Sequence, residues 1–129
     1  FALDGLLQNP DRRFTNTNLL TSWNSIFVFD HELAFSFLEE ILPSGEPWRV
    51  SRLPFLSDHV FFRQLRGTEI EMGPFLARLR VLPQLALGEV LAEVPPEWNN
   101  GCVERIGQHI ADVADHSEEF GEEIRRVLA

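Results

Sequence analysis

Asp11, Asn16 and Asp30 are the residues whose types and spacing could do chemistry. The first two lie in NPDRRFTN, residues 9–16, a polar insertion between the apolar stretches FALDGLL and NLLTSWNSIFVFD. An aspartate five residues before an asparagine is the spacing of a phosphoryl-transfer loop: the carboxylate accepts the proton of an attacking hydroxyl, and the amide oxygen helps hold a metal ion. In a chain with six Asp and six Asn, composition alone produces that spacing roughly one time in four. A third group is needed, and a plainer reading stands beside this one, in which Asp11 forms a solvated ion pair with Arg12 or Arg13.

Asp30 supplies the third group if the intervening chain folds back. With Thr21 and Ile26 flanking a four-residue turn, antiparallel pairing sets Leu20 against Phe27, Leu19 against Val28, Asn18 against Phe29 and Thr17 against Asp30. Asp30 then returns beside Asn16. A carboxylate and an amide oxygen at the open end of a hairpin are the hard oxygen ligands that magnesium requires, and Asp11 faces the acceptor hydroxyl. Asn18 is read as a residue that bonds to the loop backbone.

The elements that must position these groups follow from periodicity. Phe1, Leu3, Leu6 and Leu7 share a helical face that ends at Pro10, and the runs 19–20 and 26–29 read as the hairpin. A helix over 33–42 is broken by PSGEP, and further helices are predicted over 56–65, 73–80, 84–92, 101–114 and 117–128. Ser117 reads as a helix cap, Arg125 and Arg126 favour a helix C-terminus, and Phe120 and Ile124 turn inward from an acidic face. The fold class is mainly α with one short β-hairpin: a single domain, 1–129, with the loop helix end and hairpin in 1–42 and a helical tail in 43–129.

Composition excludes several classes of partner. The chain has 129 residues, 44% of them hydrophobic, and a formal charge of −9 with all 11 positive charges on arginine, which argues against nucleic acid and anionic lipid. No apolar run has the length of a membrane span and no signal-peptide pattern opens the chain, so a cytoplasmic location is expected. Phe1 in place of an initiator methionine predicts a start inside a longer polypeptide. Cys102 reads as a buried thiol in a reducing compartment. Trp23 marks a contact surface at the hairpin turn, whereas Trp48 and Trp98 are expected to anchor loops. His31 either orients Asp30 or packs at a strand end, and the scattered histidines predict no zinc site. Phe35, Phe37, Phe61 and Phe62 either fill the core or line an exposed interface.

The run LLQNPDRRFTNTNLL…IFVFDHELAF resembles the C-lobe of HipA-like kinases, a bacterial group of the protein-kinase-like superfamily, and SDHVFF and VPPEW are similar to that group's helical tail. The resemblance implies a kinase-like C-terminal lobe with Asp11 as catalytic base, Asn16 as metal ligand and Asp30 as the metal-binding aspartate that begins a DFG-like turn. It implies Mg and ATP as cofactors of the full-length parent and an unidentified hydroxyl-bearing substrate. Two departures stand out. Glu32 occupies the usual glycine of that turn, and the chain has neither a lysine nor a Gly-x-Gly to grip phosphates. The nucleotide-gripping N-lobe is therefore expected upstream in the parent polypeptide, on another chain, or lost, and the fragment is expected to be inactive alone. Exposed aromatic surface on such a severed lobe would favour a homodimer. The alternative from a different class is a noncatalytic, pseudokinase-like helical interaction module.

Overall fold

The computed structural model describes residues 1–41 and 45–129, so the expected helix end at Leu42 and the breaker at Pro43 lie outside the described residues. The tail is helical because its apolar residues recur at helical spacing. His109, Ile110, Val113 and Ala114 are buried on α5 (Cys102–Asp115), and Phe120, Ile124 and Leu128 on α6 (Ser117–Leu128). These faces meet Leu76 and Leu79 of α3 (Gly73–Leu82), and Val50, Leu56, Met72 and Leu6 complete the core. Leu6 belongs to α1 (Ala2–Leu7), where a Cβ on Gly5 would stand 3.3 Å from Ile124 Cδ1. The missing side chain lets α1 lie close against α6.

Two predicted helices are rearranged for identifiable reasons. The break expected at Pro83 is absent: the chain runs through a π-helical stretch, Pro83–Leu87, straight into α4 (Gly88–Ala92). Proline cannot donate to the carbonyl four residues back, and a wider turn accommodates it without ending the helix. The helix expected over 56–65 is split into a 3₁₀ segment, Pro54–Asp58, and the short α2 (Phe62–Leu65). Between them the Val60 amide donates to the Arg12 carbonyl at 3.1 Å and the Phe61 amide to His59 Nδ1 at 3.1 Å, so neither continues a helical ladder. Likewise only one turn, Ser36–Glu39, forms within 33–41. Phe35 enters it at φ 61°, with its amide donating to the Leu7 carbonyl at 2.6 Å.

β1 (Leu19–Ser22) and β2 (Ser25–Val28) pair antiparallel in the predicted register, Leu19 with Val28 and Leu20 with Phe27. Pairing continues one step further toward the tip, Ser22 with Ser25, so the turn is two residues rather than four. Its first residue, Trp23, is fully exposed at φ 47°. At the open end the Phe29 amide donates to the Asn18 carbonyl at 3.1 Å.

The packing decides several expectations and corrects others. Phe37 is buried, stacked on His109 at 4.2 Å, and Phe35, Phe61 and Phe62 are half-buried; the exposed aromatics are Phe14, Trp23, Phe27, Phe29 and Trp98. Trp48 does anchor, stacked on His116 at 3.6 Å, but Trp98 is 69% exposed. Cys102 is only half-buried, its thiol 3.5 Å from the Trp98 carbonyl. Ser117 caps nothing: it is buried, and its hydroxyl accepts from Arg80 Nε at 2.8 Å. On the acidic face of α6, Glu123 is buried and takes the amide and hydroxyl of Ser51. No helix among the described residues is long and apolar enough to cross a membrane.

Candidate functional site

The site begins with an acid in the wrong place. Asp4 sits on the buried face of α1, 2% exposed, where an ionised carboxylate needs several donors to offset its lost hydration. It has them. Arg12 Nε lies 3.1 and 2.9 Å from its two oxygens, His59 Nε2 lies 3.0 Å away, and Asn9 Nδ2 lies 3.2 Å away. Burial alone pushes the Asp4 carboxyl up, but the hydrogen bonds from His59 and Arg12 and the guanidinium's charge outweigh it and hold it below the usual carboxylate range. Burial lowers the His59 pKa despite the neighbouring carboxylate. A neutral ring explains both its contacts, since Nε2–H donates to Asp4 while Nδ1 accepts from the Phe61 amide.

NPDRRFTN folds over this cluster. Gln8 ends α1 in the left-handed region at φ 47°, and Asn9 Oδ1 accepts the Asp11 amide at 3.2 Å, an Asx turn that starts the loop. Arg13 and Asn16 bond to each other through their backbones at 2.9 and 3.1 Å, closing the loop, and the Phe14 amide donates to the Asp58 carbonyl at 3.2 Å.

Within that loop the side chains of Asp11 and Asn16 meet. Asp11 Oδ2 accepts from Asn16 Nδ2 at 2.7 Å and from Asn18 Nδ2 at 2.9 Å, and Oδ1 accepts from Arg13 Nη2 at 3.1 Å. The Asn16 hydrogen bond is the largest cause holding the Asp11 carboxyl below its usual range; partial burial opposes it, and Arg13 and Asn18 add to it. A carboxylate offers about four lone-pair sites. Three are taken, so Asp11 stays ionised and has one strong acceptor position left to orient a hydroxyl. Arg13, not Arg12, is the half-exposed ion-pair partner foreseen in the plainer reading.

Asp30 is solvent-exposed, with φ 55°, and its carboxylate makes no hydrogen bond or ion pair among the described residues. The strain expected at Glu32 falls on Asp30 itself, a residue type that tolerates the left-handed region better than most. Its two neighbours are tied to the loop through Arg12. Nη1 donates to the Asn18 carbonyl at 2.5 Å and lies 3.3 Å from the Phe29 carbonyl, and Nη2 is 3.1 Å from His31 Nε2. Because a guanidinium can only donate, His31 accepts through Nε2 and carries its proton on Nδ1.

Amide and carboxylate oxygens are hard donors. With its amide nitrogen fixed on Asp11, Asn16 keeps its oxygen as a neutral ligand, and Asp30 keeps a free carboxylate. No cluster of three or more His, Cys, Asp or Glu side chains able to hold a metal occurs among the described residues.

Asp4, Arg12 and His59 were not anticipated from the sequence, and Asn18 was given a backbone role although its side chain supports Asp11. The available signal was Asp4 itself, a lone acid inside FALDGLL. A carboxylate on an apolar helix face demands a buried cation, and the nearest arginines are Arg12 and Arg13. No protein-family model, curated protein or solved structure matches the chain.

Proposed function

We propose that this chain is the C-terminal catalytic lobe of a HipA-like, ATP-dependent kinase that transfers phosphate to a hydroxyl acceptor. The observation that supports this most is the grip of Asn16 and Asn18 on the Asp11 carboxylate, at 2.7 and 2.9 Å. In this reading Asp11 orients the acceptor hydroxyl, and Asn16 and Asp30 would hold a magnesium ion, which when bound would supply charge neutralisation. Positioning accounts for most of the rate, since phosphoryl transfer asks little covalent chemistry of the protein.

The phosphate-gripping lobe comes from outside these 129 residues, which contain no lysine and no Gly-x-Gly. Its docking face is the hairpin: residues 14–29 carry no charge, and Phe14, Leu20, Ile26, Phe27 and Phe29 are all exposed. The same exposed face also favours a second reading, a noncatalytic interaction module that keeps the loop as a structural relic.

The experiment is phosphotransfer by the full-length protein with magnesium and labelled ATP. The kinase reading expects label on acceptor or enzyme that disappears in Asp11→Asn while the circular dichroism spectrum is retained. Labelling unchanged in Asp11→Asn removes the assigned role. For the 129-residue chain alone, calorimetry should find little ATP affinity; tight binding would show that the phosphate grip lies within it.

A further inference from the structure

We infer that Arg12 is the positioning residue that holds the two halves of this site in register; this rests on the metal-site reading above. One half is the loop, where Asp11, Asn16 and Asn18 are joined side chain to side chain. The other is Asp30, with no side-chain bond of its own among the described residues. Arg12 is 1% exposed and touches the loop half at Asn18 and the two residues that flank Asp30. Its Nε is anchored on Asp4, Nη1 reaches the Asn18 carbonyl on the loop half and the Phe29 carbonyl just before Asp30, and Nη2 reaches the His31 ring just after it.

The chemistry of the side chain makes this more than packing. A guanidinium is a rigid planar fork, so contacts made by its three nitrogens cannot drift independently. Asp4 fixes the fork to α1, and the fork fixes the residues on either side of Asp30 relative to Asn18. Asp30 at φ 55° makes no side-chain bond among the described residues, so its placement is inherited from its neighbours. Arg12 touches neither proposed ligand. It acts on the metal site only through the backbone and His31.

The test is Mn²⁺ alone, titrated into the full-length protein and read by the electron paramagnetic resonance of the free ion. Asp30→Asn should abolish tight binding. Arg12→Lys keeps a cation against Asp4 but removes the fork, and should weaken Mn²⁺ by about 10-fold, the scale seen when groups behind metal ligands are lost. His31→Ala removes one arm of the fork's contacts at an exposed position, leaves the Asp4–Arg12 pair intact, and should weaken Mn²⁺ by about 3-fold with an unchanged thermal midpoint. That variant keeps the test decisive if Arg12→Lys fails to fold. If Asp30→Asn abolishes binding while His31→Ala and folded Arg12→Lys bind as wild type does, the metal site stands and the positioning role is overturned. If Asp30→Asn leaves Mn²⁺ binding untouched, the metal-site reading falls and takes the role of Arg12 with it.

Discussion

The helical tail and the loop-and-hairpin region are held together by opposite means. In the tail, Leu76, Val113, Phe120 and Ile124 bury apolar surface, and most ion pairs, such as Arg80 with Glu118, sit at the surface where they contribute little. In residues 1–31 the buried groups are mainly polar: Asp4, Gln8, Asn9, Asp11, Arg12 and Asn18, with His59 joining from the tail. The large apolar side chains there are turned out instead, with Leu20 64% and Phe27 58% exposed. This region buries polar groups and exposes phenylalanines, the reverse of the tail. The polar cluster ties the loop together, and the apolar hairpin is left exposed.

The comparison can be broken most severely at Arg12. Arg12→Met strands a buried Asp4 carboxylate and should cost about 4 kcal/mol, measured by urea denaturation. Hydrogen exchange should show amides of 9–31 losing protection first, and uniform loss across α5 and α6 would mean that the two regions are one cooperative unit. Leu76→Ala, 3% exposed in the core, should cost roughly 3 kcal/mol through the opposite region.

Acid probes the same division with a smaller effect. The folded pKa values of His59 and His109 both lie below the ordinary 6.5, for which burial is the main cause. The unfolded chain therefore takes up protons first as pH drops. The stabilisation from keeping these rings neutral is complete above 6.5 and is lost as pH falls from there toward the lower folded values. The thermal midpoint should decline between pH 7 and 5.5, and a His59→Gln, His109→Gln double variant should flatten that slope. Asp4 and Asp11, with folded values below the ordinary 3.8, add a second loss only at still lower pH. A midpoint unchanged down to pH 5 would contradict the neutral, buried rings. Smallest of all, Phe27→Ser in the isolated chain should change stability by less than about 0.5 kcal/mol, because that ring covers nothing within it.

The tail was largely legible because a 3.6-residue apolar period needs only one sequence to be seen. Helices predicted over 101–114 and 117–128 appear as Cys102–Asp115 and Ser117–Leu128. The hairpin register was equally readable, since the apolar runs 19–20 and 26–29 leave few ways to pair; the turn length was not, because Trp23 at φ 47° is a poor choice for a tight turn. What periodicity could not separate was Arg12 from Arg13. Adjacent and identical in type, one is buried on Asp4 and the other half-exposed on Asp11. Only the fold of 58–60 against the loop decides between them, and that contact spans more than forty residues of sequence. The broken helices share that cause: Val60 and Phe35 give up local ladders to bond across to Arg12 and Leu7.

The account depends on Asn16 and Asp30 sharing one divalent cation. The most direct measurement is an anomalous-difference map from a crystal of the full-length protein soaked in Mn²⁺. The account predicts a peak that Asn16 and Asp30 would both hold through their side-chain oxygens. A peak elsewhere, or one that contacts Asp11 and leaves Asp30 in solvent, would contradict it.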